Sequence, residues 1–148
     1  VTDHDILILG VGSPFGADRA GWEAVELLRE TGGLEGVRFE TSDRPGARLL
    51  SMLEGVWNAI IIDALLCSAP PGTPLRIDPW TLAPGERSSN HGFGVADALA
   101  LGRALGALPP RLSVIGISAE GNRVPTIDGP ALTGLVRSIL QENGDRGR

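Results

Sequence analysis

The stretch from Ile6 to Gly21, I-L-I-L-G-V-G-S-P-F-G-A-D-R-A-G, constrains the fold more than any other part of the chain. Ile6 to Leu9 is a short unbroken apolar run bounded by Gly10, which suits a strand buried on both faces. From Asp18 to Glu30 the spacing changes: Trp22, Val25 and Leu28, joined by Ala24 and Leu27, recur at helical intervals until Gly32-Gly33 stops them. A strand that feeds a helix through glycines, with an acid at the helix entrance, is how an α/β protein builds an active-site loop.

The same alternation continues along the chain. Val37 to Thr41 reads as a second strand, and Ser42 to Gly46 as a loop leading into a short helix through Leu49, Leu50 and Leu53. Ala59-Ile60-Ile61-Ile62-Asp63-Ala64 is the clearest buried parallel strand, with a carboxylate at its C-terminal end. Pro70-Pro71-Gly72 is a turn and Thr73 to Asp78 an additional strand, for which an antiparallel setting is open. Trp80 to Arg87 reads as loop. Ser88-Ser89-Asn90 supplies cap chemistry before His91, and Val95, Ala98, Leu99, Leu101 and Leu105 follow as a helix ended by Pro109-Pro110. Leu112 to Ser118 is a last core strand; Leu132, Leu135, Val136, Ile139 and Leu140 mark a closing helix. Strands and helices in alternation specify an α/β class with a mostly parallel sheet covered on both faces, and such sheets bind ligands at the C-terminal ends of their strands.

With 148 residues, 42% of them hydrophobic, the chain has the size of one domain, expected over residues 1–148 with a frayed tail at 142–148. Its formal net charge of -5 and lack of a basic cluster argue against nucleic-acid or anionic-membrane partners. No apolar run approaches the roughly 18 residues of a membrane span, and Val1 to Asp5 is too polar for a signal peptide. Cys67 is the single cysteine, so no internal disulfide is possible; it is expected to be a small packing residue in a cytoplasmic protein.

Two chemistries compete for the first loop. Gly10, Gly12 and Gly16 suggest a phosphate cradle, and Glu40 or Asp43 after the second strand could serve a ribose. Pro14, however, lacks an N–H, and Asp18 would place negative charge beside the phosphate. Taken singly, Asp63 is as readily a loop hydrogen-bonder and His91 a capping or core histidine. Together Asp18, Asp63 and His91 each follow a strand or open a helix, so all could reach one crevice at the same sheet edge. Two carboxylates and an imidazole suit a borderline divalent ion such as zinc or nickel and leave positions open for water or substrate. His4, in the polar N-terminal tail, is not expected to join them. No serine elbow is present, and Ser88 and Ser89 read as cap residues.

At this point the chain resembles the [NiFe]-hydrogenase maturation endopeptidases, whose pattern begins with a strand and continues G-x-G-N-x-L-x-x-D-[DE]-G-x-G. The residues that carry the resemblance are Gly10 to Gly21, Arg44-Pro45-Gly46, the I-I-I-D-A segment ending at Ala64, Pro71-Gly72-Thr73, S-N-H-G-F-G-V-A-D-A-L from Ser89 to Leu99, and Leu112 to Ile117. The resemblance implies a three-layer α/β/α sandwich around a twisted, mainly parallel sheet of about five strands. It also implies removal of a C-terminal extension from the hydrogenase large-subunit precursor after nickel insertion. On this reading Asp18, Asp63 and His91 are both the metal-reading and the catalytic residues. No tightly bound cofactor is expected; the metal is the nickel of the substrate, or a surrogate divalent ion. The alternative is a non-catalytic metalloprotein- or nucleotide-binding α/β module.

The first loop departs from the family pattern. Counted forward from Gly12, the metal-binding acid would fall on Arg19, a permanently charged donor that cannot ligate a cation. Counted back from Gly21 it falls on Asp18, with Ala17 replacing the preceding acid and the loop one residue short; the helix fixes side-chain direction more tightly than a loop does. Arg19 could then pair with Asp43, hold a substrate carboxylate or lie free on the surface. Ser13 stands where the family has Asn.

Overall fold

The computed structural model describes residues 5–43, 46–80 and 95–145. In chain order these form β1 (Ile6–Gly12), a 3-10 turn (Gly16–Arg19), α1 (Ala20–Thr31), β2 (Val37–Asp43) and α2 (Gly46–Leu53). There follow β3 (Asn58–Leu66), β4 (Pro74–Ile77), α3 (Val95–Leu105), β5 (Arg111–Ala119) and α4 (Gly129–Asp145). Among the described residues five strands make one sheet in the order β2-β1-β3-β5-β4. Every neighbouring pair is parallel except β4 with β5, so the strand expected at Thr73 to Asp78 is the antiparallel edge.

The alternation of side chains along each strand divides the core into two layers. Ile8, Ile60, Ile62, Ile115 and Ile117 face α1 and α4, meeting Val25, Leu28, Val136 and Ile139. Leu7, Leu9, Val11, Ile61 and Val114 face α2 and α3, meeting Leu49, Leu53, Val95 and Leu99. Burying each such side chain is worth about 1.5–3 kcal/mol, which is why the unbroken apolar runs, and not local propensity, set the central strands. The expected α/β/α sandwich is therefore the fold.

Element ends differ from the sequence reading where pairing extends them. β1 runs past Leu9 because Gly10, Val11 and Gly12 continue the ladder opposite Thr41, Ser42 and Asp43. β3 continues to Leu66, paired with Ala119, so Asp63 lies inside the strand and not at its end. The helix expected from Asp18 begins as a 3-10 turn and becomes α-helical at Ala20. Of the tail expected at 142–148, residues 142–145 are the last turn of α4 and 146–148 lie outside the described residues; Glu142 takes two hydrogen bonds from Arg76 of β4, at 2.8 and 3.3 Å.

Candidate active site at the β1/β3 switch point

From β1 the chain passes outward to β2, then returns across the sheet to β3 on the other side of β1. The direction of winding reverses between β1 and β3, and an open α/β sheet binds its ligands in the crevice beyond such strand ends. The last step of the β1–β3 ladder pairs Gly10 with Ile62, and Asp63 is the next residue along β3. It shares a sheet face with Ala59 and Ile61, is 4% exposed, and its Oδ1 accepts a 2.8 Å hydrogen bond from the N–H of Ala64. A carboxylate this deeply buried is costly in a purely structural role, which marks the position.

The main chain of Asp18 is laid against the same strand ends because glycines let main chain meet main chain. A Cβ at Gly12 would lie 2.0 Å from the carbonyl oxygen of Asp18, and one at Gly10 would lie 2.3 Å from that of Gly21. A Cβ at Gly21 would lie 2.3 Å from Val11 O and 2.6 Å from Ile62 O, the carbonyl of the peptide bond leading into Asp63. The entrance of α1 is thus laid directly on the ends of β1 and β3, with Ala17 buried and Asp18 half-buried above them. The N–H of Ser13 closes the loop by donating to Asp18 O at 3.0 Å. Trp22 braces it from α1, its indole N–H donating to Ser42 O of β2 at 3.0 Å. The bracing roles of Gly10, Gly21 and Trp22 were not read from the sequence, although the spacing of the glycines was the available signal.

The glycines therefore serve the protein's own packing. The space a Cβ of Gly12 would take is filled by the Asp18 carbonyl, and Glu40 lies 3.6 Å from Arg38 in an ion pair on the edge strand. Arg19 is exposed and pairs with Glu23 one turn along α1, not with Asp43. This leaves Asp18 as the half-buried acid of the loop. Cys67 is also not the packed residue expected: it is exposed, its thiol donating to Ser118 Oγ at 3.3 Å.

His91 lies outside the described residues, as do Ser88, Ser89, Asn90 and His4. α3 opens at Val95, which is buried in the same layer as Val11 and Ile61, on the Asp63 face. Among the described residues no group of three or more His, Cys, Asp or Glu comes together to hold a metal. Asp18 and Asp63 alone are hence two acids flanking a switch point, not a complete metal centre.

A doubly wound α/β domain with acids after β1 and within β3 defines a class, and comparison with known proteins says which. No family profile matches the chain. Over 126 residues it is 35% identical to the hydrogenase expression/formation protein HoxM of Azotobacter vinelandii, covering 81% of this chain and 60% of that protein. Over 116 residues it is 31% identical to HupD of Rhodobacter capsulatus, also a hydrogenase expression/formation protein, covering 75% of this chain and 55% of that one. The chain thus spans 55% to 60% of the length of these curated relatives. Among solved structures, the hydrogenase maturating endopeptidase HybD from E. coli matches with a TM-score of 0.67 and 25% identity over 93% of each chain. The chain is thus similar in sequence to part of these hydrogenase expression/formation proteins and in fold to a hydrogenase maturating endopeptidase. Among the described residues no helix is long and apolar enough to cross a membrane.

Proposed function

We propose that this protein is an endopeptidase that removes the C-terminal extension of a [NiFe]-hydrogenase large-subunit precursor after nickel has been inserted. The reading is supported by the likeness to hydrogenase expression/formation proteins and to a hydrogenase maturating endopeptidase and, within this chain, by one observation: the Gly21–Ile62 contact, which sets the loop of Asp18 against the peptide bond that leads into Asp63. In this proposal Asp18, Asp63 and His91 approach the nickel carried by the substrate. Carboxylate and imidazole donors suit that borderline ion, and the metal is cargo to be read, not a resident cofactor.

Recognition and cleavage then share one geometry. The acids hold the precursor by its nickel, and the scissile peptide lies beside them along the C-terminal edge of the sheet. A divalent ion polarises a carbonyl or lowers the pKa of water, which is the chemistry the substrate's nickel would supply there. The chain's own part is to fix two acids on rigid main chain and to orient the precursor. The working compartment in this proposal is the cytoplasm, where nickel insertion precedes trimming.

The test is mass measurement of a co-expressed, nickel-loaded large subunit. Loss of its tail with the unaltered protein, and retention with Asp63→Asn, is the expected result. Trimming that proceeds equally with Asp63→Asn would sink the proposal.

A further inference from the structure

The 3-10 turn Gly16–Arg19, which carries Asp18, has little of its own to hold it. Phe15, at its cap position, is extended and offers no side-chain hydrogen bond, and a single turn of 3-10 helix is a weak hydrogen-bonding unit. The turn is fixed instead by contacts from elsewhere in the fold. One is the seat of Asp18 O against Gly12 on β1. A second comes from the loop that follows β5: a Cβ at Gly16 would lie 2.1 Å from Asn122 Oδ1, 2.7 Å from its Cγ and 2.6 Å from its main-chain oxygen. The hydrogen that stands in that place therefore faces Asn122, and the amide side chain packs directly on the first residue of the turn.

Both sides of this contact are shaped for it. Gly16 is left-handed, with φ of 57°, and so is Gly121 directly before Asn122, with φ of 61°, a conformation that side chains disfavour. The loop that bears Asn122 is itself anchored further along. A Cβ at Gly72 would lie 1.9 Å from Thr126 O, the N–H of Gly72 donates to Ser118 O at 2.8 Å, and that of Asp128 donates to Gly72 O at 3.0 Å. Asn122 is thus carried on main chain tied to β5 and to the turn before β4. It is exposed and belongs to neither core layer, so its substitution should leave global stability nearly unchanged.

We propose that Asn122 is a positioning residue for Asp18: its amide, packed on Gly16, fixes the turn that presents the acid, so that the loop after β5 serves the site without touching the substrate. The proposal rests on the functional reading above, in which Asp18 approaches the nickel of the substrate, and adds a residue that acts through Gly16. What the contact requires is an oxygen of the right reach. Asn122→Asp keeps one over Gly16, whereas Asn122→Ala removes Oδ1 and Cγ together. The main-chain oxygen of residue 122 stays in place in both variants, so the turn loosens in the second without detaching.

The test reads the turn itself, by hydrogen exchange on the full chain. The N–H of Ser13 donates to Asp18 O at 3.0 Å and reports opening of the turn; that of Trp57, bonded to Asp5 O at 3.0 Å at the opposite edge of the sheet, is the control. Asn122→Ala should exchange Ser13 about ten-fold faster with Trp57 unchanged, and Asn122→Asp should return Ser13 to the parent rate. Unchanged protection of Ser13 in Asn122→Ala overturns the proposal, and so does an equal rise at Trp57. Trimming of the nickel-loaded precursor, followed by mass, should fall about ten-fold in Asn122→Ala and recover in Asn122→Asp, while the thermal melts of both coincide with the parent. Trimming untouched by Asn122→Ala keeps the function and removes the positioning role. Loosening at Ser13 with no trimming even by the unaltered protein keeps the tie between the loops and sinks the functional reading.

Discussion

The carbonyl oxygen of Asp18 occupies the space beside Gly12 that any side chain would need: a Cβ there would lie 2.0 Å from it, closer than atoms can approach. The acid of the loop is therefore located by its main chain. Two glycine contacts, Gly12 with Asp18 and Gly21 with Ile62, hold that main chain against the ends of β1 and β3.

Gly12→Ala should show this directly. The added methyl must push the 3-10 turn off β1, an overpacking cost of about 1–3 kcal/mol, and should reduce trimming well beyond what that loss of stability explains. A urea melt alongside the trimming assay checks both. Gly134→Ala is the counter-case: nothing lies within 4 Å of its Cβ and it sits inside α4, so it should stabilise by roughly 0.5–1 kcal/mol.

Asp63→Asn should fold as well as the parent, because the amide keeps an oxygen for the 2.8 Å bond from Ala64 N while removing the charge. Trimming should fall below detection. A melting curve matching the parent, together with an untrimmed precursor, is the expected pair of readings.

Asp18→Ala and Arg19→Ala should part company. Arg19 lies outside the crevice in an exposed pair with Glu23, the kind worth about 0–1 kcal/mol, so its loss should leave trimming near the parent rate. Asp18→Ala should abolish it. The reverse outcome in the mass assay would move the metal-reading acid to the neighbouring register.

Arg76→Ala tests the tie between α4 and β4. The Arg76 guanidinium is raised above its ordinary value, chiefly by its hydrogen bond to Glu142. A group raised in the folded state contributes fully below its unfolded pKa and loses that contribution only as pH rises through the folded value, far into alkali. Stability from this arginine should hence be level across neutral pH. Both partners are partly exposed, so the substitution should cost less than about 1 kcal/mol by denaturant titration.

How much was legible beforehand depended on the kind of signal. Ile60, Ile61 and Ile62 must be buried on both faces wherever they sit, so the central strand and the layered class were readable from the run itself. Asp63 stood out for the same reason, as a carboxylate attached to such a run. Strand ends were less legible, because Gly10 to Gly12 and Leu65-Leu66 are held by partners distant in sequence, Thr41 to Asp43 and Ser118-Ala119. Glu142 looked free only because its partner, Arg76, is 66 residues away.

The sequence by itself determined the alternation of elements, the two-sided sheet and the acids that follow the apolar runs at Asp18 and Asp63, since apolar periodicity and a charge beside an apolar run are local properties. Only the tertiary structure decided that the winding reverses between β1 and β3, that the glycines of the first loop are filled by the chain's own carbonyls, and that Arg19 turns away to Glu23. Those outcomes depend on which strand ends become neighbours, and strand order follows from packing whole helices on whole sheet faces, a choice that no short stretch of residues contains.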